Sequence, residues 1–193
     1  MIYLYVRALS PTENPSARAA VESRFAREVL LSAIREELSL KPSEIIQTER
    51  GKPYFENKEY PRFSISHTEG AVAVAFSTDA DEIGVDIEED SERLKNKRLC
   101  ERFFPGLSLC ENEIEDCEIS LSLPEDSLLS PSGADALYTL GEAVIKCAGE
   151  GFSAAASAAA LGVSMKKSSY AVTIYDKRYY ISLAVLEDKN ERI

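Results

Sequence analysis

The chain predicts an α+β fold, and three stretches carry that prediction. Residues 2–7 alternate Ile2, Leu4 and Val6 against Tyr3, Tyr5 and Arg7, the period of two expected of a strand. From Ser16 to about Leu40, Val21, Phe25, Val29, Ile34 and Leu38 recur at helical spacing on one side. Between residues 62 and 88, three short apolar segments follow one another closely, the pattern of an antiparallel meander.

The remaining elements follow in chain order. Pro11 and Pro15 place a loop before the first helix, and Ser16 is its expected N-cap. Lys41-Pro42-Ser43 ends that helix, a short strand follows near Glu44–Thr48, and Glu49-Arg50-Gly51-Lys52-Pro53 makes a turn. The three meander strands are Arg62–Ser66, Ala71–Ser77 and Glu82–Glu88. Ala71–Phe76 is apolar on both faces, as a central strand should be. A second helix is expected from about Ser91 to Phe104, stopped by Pro105. Residues 106–133 show no period and read as a long, acidic, mobile segment. A third helix is expected over 134–148, with Leu137, Leu140, Val144 and Ile145 as its apolar stripe and Gly149 and Gly151 at its end. Ser153–Leu161, nearly all Ala and Ser, reads as a tightly packed helical turn or a loop. Ser169–Tyr175 and Arg178–Leu186 read as a hairpin over Asp176-Lys177, and Glu187–Ile193 as a frayed tail. There is no clear internal repeat.

Composition narrows the function. With 193 residues the chain is long enough for one large domain or two small ones, and 45% hydrophobic with 28% charged residues excludes wholesale disorder. A net charge of −11 argues against nucleic acid as a partner, since binding it requires Lys and Arg on phosphates. No apolar run nears the roughly 20 residues of a membrane span, and Met1–Arg7 has no basic region before its apolar stretch, so no signal peptide and no membrane attachment are expected. The expected location is cytoplasmic. Cys100, Cys110, Cys117 and Cys147 include no C-x-x-C pair and the chain has a single His, so a Cys/His zinc site is not expected and the thiols are read as reduced.

Four clusters carry chemistry. In Gly84-Val85-Asp86-Ile87-Glu88, Asp86 and Glu88 share one face of a strand. Two adjacent carboxylates suit a hard divalent cation such as Mg²⁺, although a bare D-x-E is more often a solvated strand end. Glu142 and Lys146 lie four apart on one helix face. They are either a surface ion pair, the commoner case, or a third metal ligand with a lysine beside it for phosphate. In Phe63-Ser64-Ile65-Ser66-His67-Thr68, Ser66 and His67 can bond phosphate oxygens or simply sit in a polar loop. No acid is evidently placed to complete a triad with Ser66. In Gly51-Lys52-Pro53, Lys52 projects from a stiff turn as a point charge suited to phosphate, a pattern common on ordinary surfaces.

The order of these clusters runs from Gly51-Lys52-Pro53 through Phe63–Thr68 and Ile83–Glu88 to Glu142-Ala143 and Lys146, then Gly149-Glu150-Gly151-Phe152-Ser153. In that order the sequence resembles the 4′-phosphopantetheinyl transferases, most closely the longer, monomeric class that activates nonribosomal peptide synthetases. The resemblance covers roughly residues 16–153. It implies a pseudo-twofold α+β fold, two similar halves near 1–80 and 81–193, each a helix on a small antiparallel sheet, with the ligand cleft between them. It implies transfer of the phosphopantetheine arm of coenzyme A to a serine of an apo acyl or peptidyl carrier protein, with release of 3′,5′-ADP. Asp86, Glu88 and Glu142 would hold Mg²⁺. Glu142 would be the base for the carrier serine, directly or through a bound water. Lys146 would neutralise the pyrophosphate and protonate the leaving group, His67 and Ser66 would bind phosphate oxygens, and Lys52 would contact the nucleotide side. Arg18 or Arg24 would meet the 3′-phosphoadenosine. Because the chain is acidic, as carrier proteins usually are, docking would rest on a local apolar patch.

The family's W-x-x-K-E-A-x-x-K is matched by Tyr138–Lys146 with Tyr138 in place of Trp and Gly141 in place of the first Lys. Arg102-Phe103-Phe104 matches the family's R-F-F, without a glutamate close behind. Gly141 motivates a second expectation, a degenerate homologue that binds coenzyme A or a carrier without efficient turnover. A third is an unrelated acidic interaction domain.

Overall fold

The computed structural model describes residues 1–10, 16–41, 43–80, 82–91, 94, 98, 101, 104, 107, 114, 117–122, 129–132, 134–149 and 165–186. The fold is mixed α+β. The described elements are β1 (Ile2–Ala8), α1 (Arg18–Leu38), β2 (Ile45–Gln47), β3 (Pro53–Phe55), β4 (Arg62–Thr68), β5 (Ala71–Ser77), β6 (Glu82–Glu89), β7 (Cys117–Ser122), β8 (Leu129–Pro131), α2 (Leu137–Ala148), β9 (Lys166–Ile174) and β10 (Lys177–Leu186). A 3₁₀ turn at Ala134–Ala136 leads into α2. Among the described residues no helix is long and apolar enough to cross a membrane.

Two four-stranded sheets face each other, in the orders β4-β5-β1-β7 and β6-β10-β9-β8. Strand periodicity divides the side chains between layers. Leu4 and Val6 of β1, Ala73 and Ala75 of β5, Val85 and Ile87 of β6, and Ile181 and Leu183 of β10 fill the space between the sheets. The opposite faces carry the helices. Ala26, Leu30 and Ile34 of α1 pack on Tyr5, Phe63, Val72, Val74 and Phe76. Ala143, Val144 and Cys147 of α2 pack on Tyr180, Ala184 and Ala171. β5 is interior to its sheet and buried on both faces, as its composition predicts.

Four expectations need correction. The segments 62–66, 71–77 and 82–88 are strands, but not one meander: β4 pairs with β5, whereas β6 leaves for the other sheet and pairs with β10. The short β5–β6 connection is therefore a passage between layers. Residues 106–133 contain β7 and β8, so the segment is not structureless. β7 lies parallel to β1, giving the first sheet a parallel edge that the expected antiparallel pattern lacks. A parallel pairing requires a long crossover, and its partner strand lies more than a hundred residues away, beyond the reach of any local signal. The N-cap of α1 is Ala17, with no side-chain cap hydrogen bond, in place of Ser16. The C-terminal hairpin turns at Tyr175-Asp176, one residue earlier than expected, with Tyr175 at φ 54°. Most of the helix expected over 91–104, the Ala/Ser stretch 153–161, the tail 187–193, Cys100 and Cys110 lie outside the described residues.

Among the described residues Cys117 and Cys147 are free thiols, and burial pushes them up to about 11 and about 12. Both are thus protonated and unreactive at neutral pH.

β6 and α2 touch backbone to backbone. A Cβ placed on Gly84 would sit 2.0 Å from the Ala143 carbonyl oxygen and 2.4 Å from the Cys147 nitrogen. Neither atom belongs to a side chain that can swing away. Gly84→Ala should therefore cost about 3 kcal/mol, at the upper end for overpacking, read as a lower urea midpoint in equilibrium unfolding.

Candidate metal and phosphate site

On β6, Gly84, Asp86 and Glu88 point toward α2, while Val85 and Ile87 point into the inter-sheet core. On α2, Glu142 and Lys146 are one turn apart and face the same strand. One carboxylate oxygen from each of Asp86, Glu88 and Glu142 lies within 4.8 Å of the others. Asp86 is 2% exposed, and Glu88 and Glu142 are half-buried.

Lys146 enters the same group. Its Nζ donates to Asp86 Oδ1 at 2.6 Å and to Ser66 Oγ at 2.8 Å. Ser66, on the edge strand β4, donates in turn to Asp86 Oδ1 at 2.8 Å. Two residues earlier, Ser64 Oγ accepts from the Val85 N–H at 3.0 Å, so the edges of the two sheets are tied together beside the carboxylates. Asp86 Oδ2 is buried with no hydrogen-bond partner.

The three carboxylates can hold a metal ion. The donors are all oxygen, the set a hard divalent cation takes. Carboxylate oxygens this close repel one another, and the orphaned Asp86 oxygen carries a desolvation cost that a cation would remove.

Glu142 and Lys146 also form one wall of a cavity of about 290 Å³, whose other sides are Arg50, Gly51 and Lys52 of the 49–53 turn and Phe63 and Ile65 of β4. Gly51 turns the chain there at φ 85°. Lys52 crosses from this turn to the end of α2, donating to the Cys147 carbonyl at 3.0 Å and to Glu82 Oε2 at 2.5 Å. A cation on the last carbonyls of a helix offsets its dipole. Lys52 thus clasps α2 to β6 while lining the cavity.

The other expected site residues lie elsewhere. His67 follows Ser66 on β4 and therefore points to the opposite face, toward α1. Its Nδ1 is 3.1 Å from Glu22 Oε2 and its Nε2 2.9 Å from Ser23 Oγ. Arg18 Nη1 donates to Glu69 Oε2 at 2.5 Å. Arg24 is exposed and 3.7 Å from Glu28. The acidic cluster therefore gathers Asp86, Glu88, Glu142, Lys146 and Ser66, with Lys52 on the adjoining cavity, and does not include His67.

Arg50, Glu22 and Ser23 are missing from the residues singled out in the sequence. Arg50 is legible there as the second cation flanking Gly51. Glu22 carries a weaker signal: it stands at i, with Ala26 at i+4 and Leu30 at i+8, a carboxylate on an otherwise apolar line.

The place of Gly141 also becomes physical. A Cβ on it would lie 2.4 Å from the ring of Phe104. The ring rests on the bare backbone and meets Tyr138 edge-on, centroids 5.6 Å apart. Gly141→Lys should therefore lower stability by about 2 kcal/mol despite a gain of up to about 1 kcal/mol in helix propensity. The loss should shrink in a Phe104→Ala background, measured as a double-mutant cycle in urea.

Metal binding has its own readout. At tenfold excess over its dissociation constant, Mg²⁺ or Mn²⁺ should stabilise the chain by about 1.4 kcal/mol, raising Tm by roughly 3–5 °C. The shift should disappear with EDTA and in Glu142→Gln. No protein-family model matches the chain, and no curated protein matches it.

Proposed function

We propose that this chain transfers the 4′-phosphopantetheine arm of coenzyme A to a serine of an apo acyl or peptidyl carrier protein and releases 3′,5′-ADP. The observation that carries the proposal is the meeting of Asp86 and Glu88 with Glu142 and Lys146 across β6 and α2. These are the residues for which the family resemblance implies metal binding and catalysis. The two helix-on-sheet units correspond, in this reading, to the two halves of the pseudo-twofold transferase fold, and the chain acts as a monomer.

Asp86, Glu88 and Glu142 hold Mg²⁺, which supplies charge neutralisation to the pyrophosphate oxygens. The cavity takes the pyrophosphate and the part of coenzyme A next to it, with Lys146 on one wall and Arg50 and Lys52 on another. Glu142 accepts the proton of the carrier serine as its oxygen attacks the β-phosphorus. Lys146 stabilises the charge that develops on the departing 3′,5′-ADP and can return a proton to it. Ser66 holds Lys146 and Asp86 in register through its two hydrogen bonds.

One observation favours a second reading, binding of coenzyme A without turnover. The Lys146 ammonium rests on Asp86 Oδ1 and already balances part of that buried charge. The two readings separate in one assay. Incubated with apo-carrier, coenzyme A and Mg²⁺, the chain should add one phosphopantetheine arm to the carrier by intact mass. Glu142→Gln or EDTA should reduce the product at least 100-fold. Saturable coenzyme A binding with no mass change across several carriers supports the second reading. Absence of coenzyme A binding overturns both.

A further inference from the structure

The lone histidine sits in an arrangement that the metal site does not use. Glu22 of α1 is 6% exposed, on the helix stripe otherwise formed by Ala26, Leu30, Ala33 and Ile34. Burying a carboxylate there costs free energy unless it is bonded, and its partner is His67 Nδ1 at 3.1 Å. An ionised carboxylate only accepts, so it holds the proton on Nδ1 and leaves Nε2 as an acceptor. At 2.9 Å from Nε2 lies Ser23 Oγ. Acid, imidazole and hydroxyl are thus in series, at the distances that activate a serine, with the acid the most buried of the three. The His67 side chain is 27% exposed and Ser23 is half-buried, so the reactive end faces outward.

We propose that Ser23, His67 and Glu22 form a nucleophilic triad that cleaves acyl esters or thioesters. Ser23 Oγ bonds to the acyl carbon as its proton passes to His67 Nε2. The carbon–oxygen or carbon–sulfur bond then breaks, and the leaving alcohol or thiol takes that proton. Water repeats the sequence on the acyl-serine, giving its proton to His67 and releasing the carboxylic acid, and Ser23 recovers its hydrogen. Glu22 touches no reacting atom; it is the positioning residue that fixes the tautomer and steadies the imidazolium.

The test is covalent labelling of the full-length chain with an alkyl fluorophosphonate at pH 8, with the modified residue mapped by mass spectrometry. The expected result is one adduct, on Ser23, absent in Ser23→Ala and formed at least 100-fold more slowly in His67→Ala. Glu22→Gln should slow labelling at least tenfold, and circular dichroism should show these variants folded. Because Ser23→Ala sits at a half-exposed helix position and favours helix, it tests the proposal even if the His67 variant does not fold. Glu22→Asp, which keeps the carboxylate, should recover part of the labelling rate that Glu22→Gln loses, a rescue that a merely structural role would not give. Parallel hydrolysis of p-nitrophenyl acetate and an acetyl thioester tells which leaving group is preferred. A chain that leaves Ser23 unlabelled, or labels it equally fast in His67→Ala and Glu22→Gln, overturns the proposal. Neither readout involves coenzyme A, a carrier or a metal, so it succeeds or fails independently of phosphopantetheinyl transfer.

Discussion

The candidate site depends on one close approach: the backbone of β6 at Gly84 against the backbone of α2 at Ala143 and Cys147. No side chain separates the two elements there. Residues two apart on a strand rise about 6.6 Å, and residues one turn apart on a helix rise about 5.4–6 Å. Once the strand and helix are in contact, these repeats nearly coincide. Asp86 and Glu88 then lie alongside Glu142 and Lys146 over a full turn. A larger residue at 84 would lift the helix and break this match before it changed a single carboxylate.

The strand β4 divides the chemistry by alternation. Ser64 and Ser66 face β6 and tie the two sheets at the carboxylate cluster, while His67 faces α1 and the buried Glu22. Neighbours in sequence thus serve opposite faces of one sheet. The polar run Ser64–Thr68, which reads as one cluster, is two half-sites interleaved at a period of two.

How much of this is legible follows from the range of each interaction. The strand alternation of 2–7, the helical stripe of 16–40, the apolar strand 71–76 and the helix near 134–148 are local patterns, and each corresponds to an element. Sheet membership is not local. The β5–β6 connection is as short as a hairpin's, yet β6 pairs with β10 almost a hundred residues on, and β7 pairs with β1 from the far end of a crossover. The site shows the same division. That Asp86 and Glu88 share a face, and that Glu142 and Lys146 share another, follows from periodicity alone. That the two faces meet is tertiary. Glu22 and Ser23 escape notice because their partner, His67, is 45 and 44 residues away, and a glutamate on a surface helix attracts no attention until the helix is seen to bury it.

Gly141 shows why a departure from a pattern is not by itself a loss of chemistry. Read alone, a glycine in place of lysine beside Glu142 removes a charge and weakens the helix. In the fold, the missing side chain is the seat of the Phe104 ring, which also meets Tyr138 one turn away. Both aromatics are buried in the cluster that holds α2 against the second sheet. The position is packed, and it contributes through the placement of α2. Lys146 meets the carboxylate cluster at Asp86 and is fixed there by Ser66. A helix held on one side by an aromatic ring, on another by a glycine contact and at its end by Lys52 has little freedom to shift, which is what a set of carboxylates needs in order to grip a small ion at a fixed spacing.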